Sequence, residues 1–285
     1  MEISLAETDE IKIQNAKLIQ SLGLNDDNSR SPINLDISYM KVIELNPLEW
    51  NGIDIAPRKL KITNTGYTVI ISAKWQERHP YISNGPLPGN YTISQIHFHW
   101  GENEMIGSEH TVDGARMPME LHAVHFKDEY DSLDVALRRP DGAIVLVYFF
   151  KLQDGPNEFM EEIVKNLSSI QEAHSSARLV PRFLTEILRP FKEDYFLYWG
   201  PIVTAENVHR ILWLICREPI GITSKQIAEF RTLHNERNVP ILSNIRPLQE
   251  VKEENVFHVC PSGSTYASLL PLPRDVVAKQ TDETD

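Results

Sequence analysis

Three histidines fall in two short runs whose spacing could bring their imidazoles to one metal. In Gln95-Ile96-His97-Phe98-His99-Trp100 the residue types alternate, and the side chains of a strand point to opposite faces with a period of two. His97 and His99 therefore share one face, and Ile96 and Phe98 share the other. The run Glu120-Leu121-His122-Ala123-Val124 repeats the alternation and places Glu120, His122 and Val124 together. If the two strands are neighbours, His122 adds a third nitrogen and water the fourth ligand, the open tetrahedral arrangement of catalytic zinc. Such a site turns water into hydroxide near neutral pH.

The elements that would hold these runs are short strands closed by turn residues. Leu60 to Ile62, Thr68 to Ser72, Tyr91 to Trp100, Glu120 to Phe126, Ala143 to Lys151 and Ile211 to Cys216 read as strands. GPLPGN before Tyr91 and RRPDG before Ala143 are turn chemistry, because proline presets φ and glycine accepts positive φ. Two helices are legible from apolar periodicity, Asn157 to Ile170 and Ser224 to Leu233, and these would cover the sheet from outside. The expected class is mainly β (α+β), a large, mostly antiparallel twisted sheet with peripheral helices. Residues 1–30 read as a flexible, acidic lead-in with one helix-like stretch, 31–260 as a single domain, and 261–285 as a disordered tail without apolar periodicity.

Composition narrows the function classes. With 41% apolar and 24% charged residues in 285, a sizeable core is affordable and wholesale disorder is excluded. The net charge of −12 opposes binding to phosphate backbones and anionic lipid, and no long Lys/Arg run offsets it. No nucleic-acid partner is expected. The longest apolar run, Ala143 to Phe150, is too short for a membrane span and reads as a buried strand. MEISLAETDEIKI has neither a basic n-region nor an apolar h-region, which points to the cytoplasm. Cys216 and Cys260 form no CxxC pair and read as free thiols.

The blocks QIHFHWGENEMIGSEHTVDG, MELHAVHF and RRPDGAIVLVYFF resemble the alpha-class carbonic anhydrases in order and spacing. SPINL, GPLPGNY, REPIGIT and NIRP extend the resemblance over roughly residues 31–250. It implies a conical cleft with one Zn2+ per chain at its base, held by His97, His99 and His122. It also implies reversible hydration of carbon dioxide to bicarbonate and a proton by a monomer. By the same resemblance Gln95 supports His97, Glu120 holds His122, and the backbone carbonyl of Asn244 takes the proton of His99. Val124, Val145, Ile202 and Trp213 would line the apolar wall that receives carbon dioxide.

Four candidate catalytic positions, Glu109, Val203, Thr204 and Tyr67, are where the pattern is tested. Active relatives follow Gly-Ser-Leu with Thr-Thr-Pro-Pro, whereas this chain reads Gly200-Pro201-Ile202-Val203-Thr204-Ala205-Glu206. Val203 replaces the threonine that orients the attacking hydroxide and donates to a buried glutamate, the counterpart of Glu109. Glu109 is therefore expected to lose its partner, a costly state for a buried carboxylate. In Asn64-Thr65-Gly66-Tyr67 a tyrosine replaces the family's proton-shuttling histidine, and a phenol with a reference pKa of about 10 cannot relay protons near neutrality. Ile245 stands where a tryptophan is common, and the aromatic segment that usually precedes SPIN is absent. Two main readings follow: a carbonic anhydrase of reduced efficiency, or a carbonic-anhydrase-related protein that keeps zinc and binds a partner. Ester hydrolysis would be a side activity of the same site. Related non-catalytic members typically lose a zinc histidine, and this chain keeps all three, which favours the enzyme.

Overall fold

The structure is a computed structural model, and it describes residues 5–25, 30–203, 208–250, 256–260 and 270. Its centre is a 12-stranded sheet. Along the main path lie β12 (Ser176–Leu179), β4 (Lys59–Asn64), β5 (Val69–Lys74), β7 (Tyr91–Trp100), β10 (Met119–Lys127), β11 (Ala143–Leu152), β14 (Val208–Ile222), β13 (Tyr195–Val203), β15 (Val256–Val259) and β2 (Lys41–Ile43). Off that path, β3 (Leu48–Asn51) pairs with β6 (Tyr81–Asn84), which also joins β7. A separate three-stranded sheet contains β1 (Asn34–Leu35), β8 (Thr111–Val112) and β9 (Ala115–Arg116). Pairing in the large sheet is antiparallel except for β11 with β14 and β15 with β2, so the mostly antiparallel expectation holds.

Each face of the sheet carries its own core. On one side Ile96, Phe98, Trp100, Leu121, Leu146 and Phe150 pack with the helices; on the other Val124, Val145, Val147, Phe149, Phe196 and Trp213 pack together. Both faces of β11 are therefore covered, which explains its unbroken apolar run from Ala143 to Phe150. The two legible helices are α3 (Glu158–Leu167), continued by a 3-10 turn to Ile170, and α5 (Ser224–Phe230). Asn157 caps α3 by accepting from the Met160 amide, and Thr223 with Gln226 forms a capping box on α5. Phe159, Ile163, Leu167, Ile227 and Phe230 are the faces that these helices bury. Two further helices among the described residues are short, α2 (Leu133–Ala136) and α4 (Leu184–Ile187).

The helix-like stretch expected within the N-terminal lead-in is longer in the structure. Residues 5–25 form a continuous helix, α1 (Leu5–Asn25), with Ile19 fully buried. Its apolar residues do not form one stripe, since Ile11, Ile13 and Leu18 face solvent, and this hides the docking from a periodicity argument. Polar contacts at Asn15, Ile19 and Leu22 attach it instead. The expected tail, 261–285, lies outside the described residues apart from Leu270, which packs beside Val256 and its neighbours. Cys216 and Cys260 are both buried. Among the described residues no helix is long and apolar enough to cross a membrane.

Candidate metal centre

β7 and β10 are antiparallel neighbours, in the register that sets His97 opposite His122 and Glu120 opposite His99. A bulge between Val124 and His125 follows directly and absorbs the shift in register toward the strand end. The three imidazoles thus converge. Ring centroids lie 5.1 Å apart for His97–His99, 5.0 Å for His97–His122 and 4.5 Å for His99–His122. One ring nitrogen of each falls within 4.8 Å of the others. His122 Nδ1 is 3.2 Å from His97 Nε2, and His99 Nε2 is buried with no hydrogen-bond partner.

Burial, and then the charges of neighbouring imidazoles, favours the neutral form of His97 and His122. Burial is the main cause that pulls His97 well below the usual imidazole range, with His122 and His99 adding to it. Burial and the charge of His99 take His122 down to about 4, against the opposing pull of Glu120. Neutral imidazoles with unshared lone pairs are the form that ligates a metal.

Hydrogen bonds fix the ring orientations. His122 Nε2 donates to Glu120 Oε1 at 2.5 Å, which leaves Nδ1 as the bare nitrogen. His99 Nδ1 faces the Asn244 carbonyl oxygen at 3.3 Å, which leaves Nε2 bare. Asn244 is itself fixed: its amide NH2 donates to the Phe98 and Tyr67 carbonyls, and its Oδ1 accepts from the Trp100 amide. Gln95 shares the face of His97, yet no hydrogen bond joins the two among the described residues.

Behind His122 runs a buried polar chain. Glu120 also accepts from the His110 amide at 2.9 Å and from His110 Nδ1 at 2.6 Å. His110 Nε2 meets the Tyr198 hydroxyl at 2.6 Å, and that hydroxyl reaches Ser31 at 3.2 Å. His110, Glu120 and His122 could also be read as a second ligand group, but these separations are those of charge-assisted hydrogen bonds. Burial would raise the Glu120 carboxyl; the charges and hydrogen bonds of His110 and His122 outweigh it and hold it well below the carboxylate range.

Glu109 corrects an expectation. Although Val203 offers no hydroxyl, the carboxylate is not orphaned. It is fully buried and takes a bidentate guanidinium from Arg246, Nε to Oε1 at 2.8 Å and Nη2 to Oε2 at 2.6 Å. The Arg246 amide adds a third bond at 3.0 Å. Burial would raise this carboxyl, and His99 with Arg246 overrides it, so the group lies far below its ordinary range. A planar fork that stays charged is suited to this task.

The remaining candidates are distributed as follows. Val124, Val145 and Trp213 are buried in the core on the histidine side of the sheet, and Ile202 packs half-buried against the same cluster. The Trp213 ring lies 5.1 Å from His122. Tyr67 is 71% exposed and is tied to the centre only by its carbonyl. Val203 ends β13; its side chain, and Thr204, lie outside the described residues. His110, Tyr198 and Arg246 belong to the site but were not singled out from the sequence. No strand periodicity marks His110 and Arg246, which lie outside strands, and Tyr198 in β13 meets His110 only through the long-range fold.

Three converging histidines on a large mixed sheet form a group that could hold a metal ion. A model of the eukaryotic-type carbonic anhydrase family matches residues 20–260. Carbonic anhydrase 1 of Oryctolagus cuniculus is 33% identical over 235 residues, 80% of this chain and 98% of that protein. Carbonic anhydrase 3 of Sus scrofa is 34% identical over 231 residues, 79% and 87% of the two chains. Putative carbonic anhydrase 5 of Caenorhabditis elegans is 31% identical over 257 residues, 85% and 81%. The chain belongs to the carbonic anhydrase family, and that membership supports carbon dioxide hydration as its general chemistry.

Proposed function

We propose that this protein is a zinc-dependent carbonic anhydrase of reduced efficiency, with one Zn2+ per chain held by His97, His99 and His122. The observation that carries the reading is the convergence of three imidazoles around the unpartnered, buried Nε2 of His99. The donor set suits zinc, whose catalytic sites take three protein ligands and leave one position open. When bound there, zinc acidifies a water so that hydroxide is available near neutral pH.

The chain's own residues do the rest. Glu120 and the Asn244 carbonyl hold His122 and His99 in the ligating tautomer. Val124, Val145, Ile202 and Trp213 give carbon dioxide an apolar wall and exclude water from it. Glu109, kept charged by Arg246, is the acceptor to which a hydroxyl at position 203 would connect. Valine makes no such connection, so the nucleophile is less well oriented. Loss of one positioned hydrogen bond in an active site commonly costs on the order of 100-fold. Tyr67 presents no imidazole at the rim, so water and buffer carry the proton away. Val203 is also the feature that favours the second reading, a member that keeps zinc and binds a partner.

Elemental analysis beside stopped-flow hydration separates the two. Stoichiometric zinc, lost in His97→Ala, with weak hydration that rises with imidazole buffer, is the expected result. Zinc with no hydration supports the partner-binding reading, and absence of zinc from metal-replete wild type overturns both.

A further inference from the structure

α1 is linked to the histidine centre through the β13–β14 hairpin. The β13–β14 hairpin pairs Trp199 with Leu212 and Pro201 with Arg210. Side chains alternate along β13, so Tyr198 packs on the histidine side of the sheet while Trp199 packs on the other side with Ala16 and Leu22 of α1.

Two hairpin side chains bind carbonyls near the end of that helix. Trp199 Nε1 donates to the Ile19 carbonyl at 2.7 Å, and Arg210 Nη2 donates to the Leu22 carbonyl at 2.8 Å. The last four carbonyls of a helix, Leu22 among them here, have no partner within it, and a cation there also interacts favourably with the helix dipole. The Arg210 guanidinium sits 5.7 Å from the Trp199 ring. Gly23, a poor helix former in the last turn, is required by this packing, because a Cβ there would fall 2.5 Å from the indole.

The next residue carries the contact through the sheet. A Cβ on Gly200 would lie 2.7 Å from the Tyr198 ring, 2.9 Å from Trp213 Nε1 and 3.0 Å from the Arg30 carbonyl, so the backbone is pressed against the indole of Trp213. That indole abuts His122 at 5.1 Å and His110 at 5.4 Å. A contiguous series therefore runs from α1 through Trp199, Gly200 and Trp213 to His122, without slack at either glycine.

We propose that Trp199 and Arg210 are positioning residues for the metal centre, clamping α1 onto the hairpin so that Gly200 and Ile202 hold Trp213 against His122. The helix exposes Ile11, Ile13 and Leu18 and buries Ile19 alone in full among its described side chains, so the clamp governs its docking. The kinetic arm of the test rests on the hydration activity proposed above; the exchange arm does not.

Gly23→Leu perturbs the clamp from the helix side and favours helix itself; Arg210→Met perturbs it from the hairpin side, and Arg210→Lys restores a donor. Amide hydrogen exchange of the metal-free full chain is compared with hydration kinetics of the zinc-loaded protein. Gly23→Leu and Arg210→Met should each speed exchange about tenfold in α1 and also in residues 199–202 and 211–213, with α3 unchanged. Zinc content should stay stoichiometric while kcat falls about three- to tenfold at nearly constant KM, and Arg210→Lys should recover most of it. Faster exchange in α1 alone, with 199–202 and 211–213 at the wild-type rate, overturns the proposal. If the wild type hydrates no carbon dioxide, the function proposed above fails and the exchange pattern still decides the clamp.

Discussion

Two fully buried carboxylates flank the histidine cluster and are kept ionised by different means. On the inner side Glu120 takes three bonds, from the His110 amide and from the rings of His110 and His122. On the other side Glu109 takes three bonds from Arg246, a permanent cation supplied from 137 residues away. The inner arrangement orients a ligand and so matters to metal binding. The outer one is complete without a metal, and it explains how the chain tolerates valine where the family has the hydroxyl that Glu109 otherwise meets.

Removing either partner should show the contrast, most strongly at Arg246. Arg246→Met strands a buried charge, and breaking such a pair costs about 3–5 kcal/mol. Denaturant unfolding should register that loss, with Glu109→Gln in the same chain recovering more than half. A loss below 1 kcal/mol would show that Glu109 reaches another cation or water.

Acid should affect the buried imidazoles before the two carboxylates. His122 and His125 both lie near 4, burial being the main cause in each. The unfolded chain, with imidazoles near 6.5, binds those protons first, so it gains protons on unfolding in this window and native stability falls as pH drops. Metal-free protein should be fully stable above about pH 6.5 and lose on the order of a few kcal/mol by pH 4. The carboxylates, both depressed, contribute stability that persists through most of this window and is lost progressively as pH falls below about 4.3. Thermal melts in chelator between pH 7 and 4 provide the check; a flat midpoint would contradict it.

Glu120→Gln should weaken zinc by about 10- to 100-fold, the usual effect of losing a group that orients a ligand. Competition with a chromogenic chelator measures it. Equal affinity in the variant would mean that His110 and the strand backbone suffice to place His122.

The smallest change sharpens the outer region. Glu109 Oε2 accepts one bond among the described residues, and a carboxylate oxygen has two lone pairs. Threonine and valine are nearly isosteric, so Val203→Thr should reach that oxygen and raise kcat/KM about tenfold. No gain in zinc-loaded protein would indicate that Arg246 has closed the carboxylate to a further donor.

Local rules made much of this legible. Alternation in residues 95–100 and 120–124 assigned His97, His99, Glu120 and His122 to faces, because a strand's period is two whatever surrounds it. Turn residues marked where β7 and β11 begin, and capping residues with apolar spacing marked α3 and α5. Periodicity says which face a side chain takes and not which strand lies beside it. That β7 neighbours β10, with His97 opposite His122, is a long-range pairing decided by the assembled sheet. The same limit concealed Arg246 as the partner of Glu109 and the docking of α1, since a guanidinium reaching across the fold and a helix held by its carbonyls leave no local pattern in the chain.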